Sequence, residues 1–174
     1  NPIIAGQVFV DNGLGSGGIA NDGIKNGTES ALAGVNLQLT NCSGVAISGV
    51  ANANTSADGS YSFSIPASVS SGSTVCVEQT NLANYSSTTV APSFQSSYER
   101  TLDKVTLTWA GSAITGVNFG DVLTATLNAN INKQVAPGSS VSLPHTFTAG
   151  TAGTVSFSVV NSLSTPVISG WSEV

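Results

Sequence analysis

Apolar residues in this chain recur at every second position, in short runs separated by turn-forming residues. The first run is Ile3 to Val10. In Val35-Asn36-Leu37-Gln38-Leu39-Thr40 the alternation is strict, and a turn at Asn41 to Gly44 leads into a further run, Val45 to Val50. Asp58-Gly59 is a tight-turn dipeptide, because glycine accepts positive φ at little cost. Ser60 to Ile65 alternates again and Pro66 stops it; Thr74 to Gln79 follows. Thr80 to Lys104 is polar and weakly patterned. Val105 to Trp109 resumes the alternation and Ile114 to Phe119 closes it. No stretch sustains the i, i+3, i+4, i+7 spacing of an amphipathic helix. About seven strands in roughly 120 residues is the rhythm of a β-sandwich.

The texture changes after Gly120-Asp121. Leu123, Ala125, Leu127, Ala129 and Ile131 alternate with polar residues, and Pro137-Gly138 marks a turn. Val141, Leu143 and Phe147 predict a second strand, Val155 to Val160 a third and Pro166 to Trp171 a fourth. Four strands in roughly 50 residues bury too little surface to stand alone. The expected organisation is therefore a β-sandwich over residues 1–121 and an incomplete β segment over 122–174, cut from a longer polypeptide or completed by a partner. Unpaired strand edges invite such pairing.

Composition narrows the setting. Charged residues are 7% of the 174, while hydrophobic residues are 40%. Solubility then rests on Ser, Thr, Asn and Gly, a balance that suits extracellular β-proteins. Net charge is −5 with four basic residues, so no basic face can neutralise phosphates, and a nucleic-acid partner is excluded. No apolar run approaches the ~20 residues of a helical membrane span, so membrane insertion is not expected. The chain has no Met and begins at Asn1-Pro2, which reads as a processed or excerpted product. Cys42 and Cys76 are the two cysteines. A disulfide between them is the favoured reading in an oxidising compartment, with two free buried thiols as the other.

One constellation carries candidate chemistry. Asp11, Asp22 and Glu29 gather three of the nine acids. Against the calcium loop of EF-hands, Asp22 falls at position 5, Gly23 at the turn position 6, the Ile24 carbonyl at 7, Asn26 at 9 and Glu29 at 12. Calcium takes six to eight oxygen ligands, which carboxylate, amide and carbonyl groups at these offsets supply. Positions 1 and 3 would be Gly18 and Ala20, which lack side-chain oxygens. Asp11, reaching across the Gly-rich insertion Gly13 to Gly18, is the expected substitute. Asp121 adds a carboxylate if the first and last strands end together. The plainer reading is a polar loop with solvated acids.

The same residues carry a family resemblance. Gly6-Gln7-Val8-Phe9-Val10-Asp11, Asn21 to Glu29, Leu32-Ala33-Gly34-Val35-Asn36-Leu37-Gln38-Leu39 and Thr55 to Phe63 resemble the SdrD B-like domain of bacterial surface proteins, and Val117 to Asp121 resembles its closing strand. The resemblance spans residues 1 to about 121. It implies a transthyretin-like, immunoglobulin-like sandwich that serves as a stalk or spacer, with a calcium ion held by Asp22, Asn26 and Glu29 beside Asp11. Related collagen-adhesin B-type domains form a Lys–Asn isopeptide bond assisted by Glu. Glu78 and Asn118 match the acid and the amide, but the first strand offers Gln7 and no Lys, so no such bond is expected. Val135 to Ser139 and Gly170-Trp171 resemble the immunoglobulin-like repeats of such proteins.

The expected function is a non-catalytic structural or adhesive module of a bacterial cell surface, stiffened by calcium. Its expected partners are other copies or adjacent domains of the same surface protein, with a host or matrix ligand as a further candidate. The alternative is a subunit of an extracellular filament, in which Asn1 to Val10 of one copy completes the β segment of the next by strand addition. An enzyme is disfavoured: His145 is the one histidine, and no Gly-x-Ser-x-Gly elbow or zinc motif accompanies it. Trp109, Trp171, Tyr61 and Tyr85 could serve a carbohydrate site, but strand aromatics more often fill cores. Sequons at Asn26, Asn41, Asn54 and Asn84 are common by chance in so Asn- and Ser-rich a chain.

Overall fold

The computed structural model describes residues 1–131 and 133–158. It is an all-β sandwich built from nine strands, followed by a short two-stranded pair. In chain order the strands of the sandwich are β1 (Ile3–Val10), β2 (Asn36–Thr40), β3 (Ala53–Asn54), β4 (Ser60–Ser64), β5 (Thr74–Thr80), β6 (Tyr85–Val90), β7 (Tyr98–Glu99), β8 (Lys104–Thr108) and β9 (Phe119–Leu123), with one 3-10 helix at Pro92–Ser97. One sheet has the order β4-β1-β9-β6 and the other β3-β2-β5-β8-β7.

Alternation sorts the residues into faces. Ile4 and Val8 of β1, Phe63 of β4 and Phe119 of β9 fill the space between the sheets, opposite Leu37 and Leu39 of β2, Val75 and Val77 of β5, and Val105 and Leu107 of β8. Trp109 and Tyr61 are buried in the same core, and the Tyr61 hydroxyl donates to the Val117 carbonyl at 2.6 Å. Both are therefore packing residues. Tyr85 packs against that core half-buried, and Trp171 lies outside the described residues.

β1 is the keystone of its sheet. It pairs antiparallel with β4 through Ile3↔Ser64 to Gln7↔Ser60, and parallel with β9 through Val8↔Phe119 to Val10↔Asp121. Gly6 allows the close approach of this last segment: a Cβ there would overlap the Val117 carbonyl. With Ile4, Val8 and Phe9 wholly buried, Ile3–Val10 is paired on both edges within its own sandwich.

Several segments differ from the pattern-based expectation. Val45 to Val50 forms no strand. Gly44 and Gly49 sit at φ 78° and 82°, which breaks the extended run, and a single bridge pairs Ala46 with Thr40. Ile114 to Phe119 is interrupted at Gly116, φ 75°, leaving a bridge between Ile4 and Ile114. The closing strand begins only at Phe119 and runs to Leu123, past the expected boundary at 121. The weakly patterned stretch Thr80 to Lys104 holds β6, the 3-10 helix and β7. β6 pairs with β9 across an irregularity between Ser87 and Val90, which is why its alternation does not read in the sequence.

Beyond β9, β10 (Thr126–Leu127) pairs antiparallel with β11 (Phe147–Thr148). Val141 and Leu143 are not in a strand, nor are Val155 to Ser158. Leu127, Val141, Leu143, Val155 and Phe157 are exposed. The rest of the third expected strand, and the fourth at Pro166 to Trp171, lie outside the described residues. Among the described residues no helix is long and apolar enough to cross a membrane.

Cys42 and Cys76 form a disulfide with a Cα–Cα separation of 4.9 Å. Cys76 lies in β5 opposite Thr40, the last residue of β2, so the bond ties adjacent strands of the five-stranded sheet and closes a loop 34 residues apart in sequence. Constraining an unfolded chain over such a loop stabilises the fold by about 3–4 kcal/mol. Replacing both cysteines by Ala, or adding reductant, is expected to lower stability by about that amount in a denaturant titration.

Candidate functional site

The loop between β1 and β2 is shaped by its acids. Asp11 follows β1 directly and is wholly buried. Its Oδ1 accepts the Asp22 N–H at 3.3 Å, and its Oδ2 accepts the Gly23 N–H at 3.1 Å and the Thr88 hydroxyl at 2.7 Å. Asp11 thus pins the turn onto β6. Gly23 has φ 75°, and a Cβ there would strike the Val90 backbone, so both conformation and space demand glycine. Glu29, also buried, spans the insertion: Oε1 accepts from the Gly13 N–H at 2.8 Å and Oε2 from the Asn26 N–H at 3.0 Å. Asp22 Oδ1 accepts from the Ile24 N–H at 2.8 Å and Oδ2 from Asn26 Nδ2 at 2.9 Å, while Asn26 Oδ1 accepts from the Ile19 N–H at 2.7 Å.

Asp22, Asn26 and Glu29 therefore lie in one knot, as the sequence pattern implies. Their oxygens are of the hard type that calcium takes. At present the Asn26 N–H groups are the positive partners of both carboxylates, so a cation would be held by Asp22, Asn26, Glu29 and the Ile24 carbonyl once the Asn26 amide turned its oxygen inward. Among the described residues no three acidic, His or Cys side chains come together as a metal-ligating group.

Asp121 does not join this knot. Its main-chain carbonyl accepts the Asp11 N–H at 2.9 Å, so the two strands do end together. But Asp121 shares the inward parity of Phe119, and its carboxylate points between the sheets. There it meets Gln79 of β5, whose Nε2 donates to Asp121 Oδ2 at 2.5 Å. Gln79 Nε2 also donates to Asn81 Oδ1 at 2.9 Å, and Asn81 Nδ2 to the Ser87 hydroxyl at 2.9 Å. Asp103 completes the group. Its Oδ1 accepts the Tyr98 hydroxyl at 2.7 Å, and its main-chain carbonyl accepts the Gln79 N–H at 2.9 Å.

This polar cluster links both sheets at one end of the sandwich, and no local sequence motif marks it. Its signal was parity. Gln79 continues the inward series Val75, Val77; Asp103 precedes Val105, Leu107; Asp121 follows Phe119. Three polar residues thus stand where the alternation calls for apolar ones. Glu78, by contrast, faces outward and accepts the Thr40 hydroxyl at 2.7 Å, while Asn118 Oδ1 accepts the Gln7 N–H at 3.0 Å. They sit on different sheets and do not meet.

Burial of a carboxylate favours its neutral form. Burial, and next the nearby Asp103 carboxylate, push the Asp121 carboxyl from 3.8 up to about 7, against the opposing hydrogen bond from Gln79. Burial likewise raises Asp103, and burial and Asp103 together raise the Tyr98 phenol. The surface turn at Asp58 behaves oppositely: hydroxyls of Ser56 and Ser60 hold its carboxyl far below the usual range.

The folded state binds the Asp121 proton more tightly than the unfolded chain does. In calcium-free buffer the stability is therefore expected to be highest at about pH 4, to fall as pH rises towards about 7, and to level off above that. Thermal melts in chelator across this range test it, and Asp121→Asn should flatten the profile. No protein-family model matches the chain, and no curated protein sequence is significantly similar to it.

Proposed function

We propose that the chain is a non-catalytic extracellular structural module, a spacer that transmits tension along a bacterial surface protein. The observation that carries this reading is the parallel pairing of the first and last strands of the sandwich, Val8↔Phe119 to Val10↔Asp121. Parallel strands run the same way, so the chain enters β1 at one end of the sandwich and leaves β9 at the other. Force applied along the chain then loads the hydrogen bonds between β1 and β9 side by side, in shear, rather than opening them one after another.

Further support comes from the disulfide, which belongs to oxidising compartments, and from the low charge content. The resemblance to SdrD B-like domains supports the bacterial surface and adds calcium as the stiffening ion, held at the Asp22–Glu29 knot. A buried Asp11 beneath that knot would pass the stiffening directly into β1.

Two measurements test the reading. In single-molecule pulling, handles at residues 1 and 124 are expected to require several times the force needed with handles at residues 1 and 64. The second pair sits at adjacent ends of β1 and β4, since Ile3 is opposite Ser64, and peels the edge strand away. Equal forces would count against a tension-bearing spacer. Calcium is expected to raise the melting temperature, by the equivalent of about 2.7 kcal/mol at a hundredfold excess over Kd. Glu29→Ala should reduce that rise; a melt indifferent to calcium would remove the ion from the reading.

A further inference from the structure

We propose that the cleft between the β2–β3 and β4–β5 loops is a binding site for a neutral carbohydrate chain. It lies at the end of the sandwich away from the Asp22–Glu29 knot: β5 begins here at Thr74 and ends near Asp121, where β1 delivers Asp11. The inference rests neither on calcium nor on the tension-bearing role.

The cleft has a volume of about 430 Å³, within the range of small-molecule sites. One wall comes from residues 41–48, the other from residues 68–73, and the start of β5 forms the base. Main-chain hydrogen bonds hold both walls. The Asn41 N–H donates to the Val45 carbonyl at 2.9 Å and the Ile47 N–H to the Leu39 carbonyl at 3.0 Å, which returns the first loop to β2. The Gly72 N–H donates to the Trp109 carbonyl at 2.7 Å and the Trp109 N–H to the Ser73 carbonyl at 2.8 Å, which fixes the second loop beyond the end of β8. The Cys42–Cys76 disulfide then joins the residue after Asn41 to the residue after Val75. The cleft is formed before a ligand arrives, so binding has little ordering left to do.

The chemistry selects the ligand. The hydroxyls of Ser48, Ser68, Ser70, Ser73 and Thr74 line the cleft. Among the described residues none of them is spent on another protein group. Asn41 is committed only through Oδ1, which accepts the Ser43 and Val45 N–H groups at 3.0 and 3.3 Å, so its Nδ2 is a further donor. A hydroxyl both donates and accepts, and such a set is matched by other hydroxyls. Ile47 and Val69 are half-buried, packed on the core by one side and lining the cleft with the other. They supply apolar contact for the C–H face of a sugar ring.

Charge excludes other ligands. No Asp, Glu, Lys, Arg or His occurs from Ser30 to Ala57 or from Gly59 to Val77. An ionic ligand would give up its water with no opposite charge in return. An extended peptide is disfavoured because strand addition needs an open sheet edge, and β5 already lies between β2 and β8.

The test is an NMR titration of the full chain with neutral trisaccharides of glucose, mannose, galactose and N-acetylglucosamine, with trigalacturonate as the charged comparison. At least one neutral trisaccharide is expected to shift the backbone amides of residues 41–48 and 68–75 saturably, and trigalacturonate to leave them unmoved. Ser48→Ala with Thr74→Val removes two hydroxyls at exposed positions and should weaken binding about tenfold or more. Ser70→Trp, which fills the cleft, should abolish binding, while Ser62→Ala on the exposed face of β4 should bind as the wild type does. A wild-type melting temperature shows that each variant is folded. The proposal is overturned if no neutral trisaccharide shifts these amides, if trigalacturonate shifts them equally, or if the shifts persist in folded Ser70→Trp protein.

Discussion

The position of β1 between β4 and β9 is the constraint from which the other features follow. A central strand is covered on both edges, so its residues meet neighbours in every direction except along the chain. Ile4 and Val8 fill the core, Gly6 leaves room for the Val117 carbonyl, and the strand ends by delivering Asp11 into the loop that follows. Because β9 lies alongside in parallel, its Gly120 lies beside Asp11 and Thr88, where a Cβ would collide with both side chains. The acid-lined loop and the core are thus built on the same two strands.

Two polar groups flank that pairing. Asp11 gathers backbone amides and hydroxyls and is fully met by donors. Asp121, reached by the adjoining strand, is met by side-chain amides, with Gln79 Nε2 as a donor. The contrast is one of environment, since both carboxylates are buried and stand one residue apart in the β1–β9 register. Backbone N–H groups are abundant where a turn wraps around a strand end. Between two sheets the N–H groups are already committed to the ladders, and only side chains remain to meet a charge.

Much of the architecture is legible from local pattern, because alternation reports which face of a strand is dry. Val35 to Thr40, Ser60 to Ile65, Thr74 to Gln79 and Val105 to Trp109 become strands, and the cysteines pair. The parallel union of β1 with β9 is not legible, since it joins residues more than a hundred apart and depends on the whole fold. Runs such as Val45 to Val50 mislead because two positive-φ glycines outweigh β-branched side chains. The knot of Asp22, Asn26 and Glu29 could be read from its spacing, since one short loop holds it. The Gln79–Asp121 cluster could not be read as a motif. Its members are scattered over four segments, and only their inward parity unites them.

The cross-link between Cys42 and Cys76 has a mechanical consequence. It lies in the five-stranded sheet, while the shear plane lies in the other. If the sandwich gave way, the segment between the two sulfurs would stay looped. At about 3.4 Å per extended residue, the 34-residue separation withholds about 115 Å of slack. Under the proposed tension-bearing role, the bond would act as a tether stop, keeping a ruptured sandwich short enough to refold quickly.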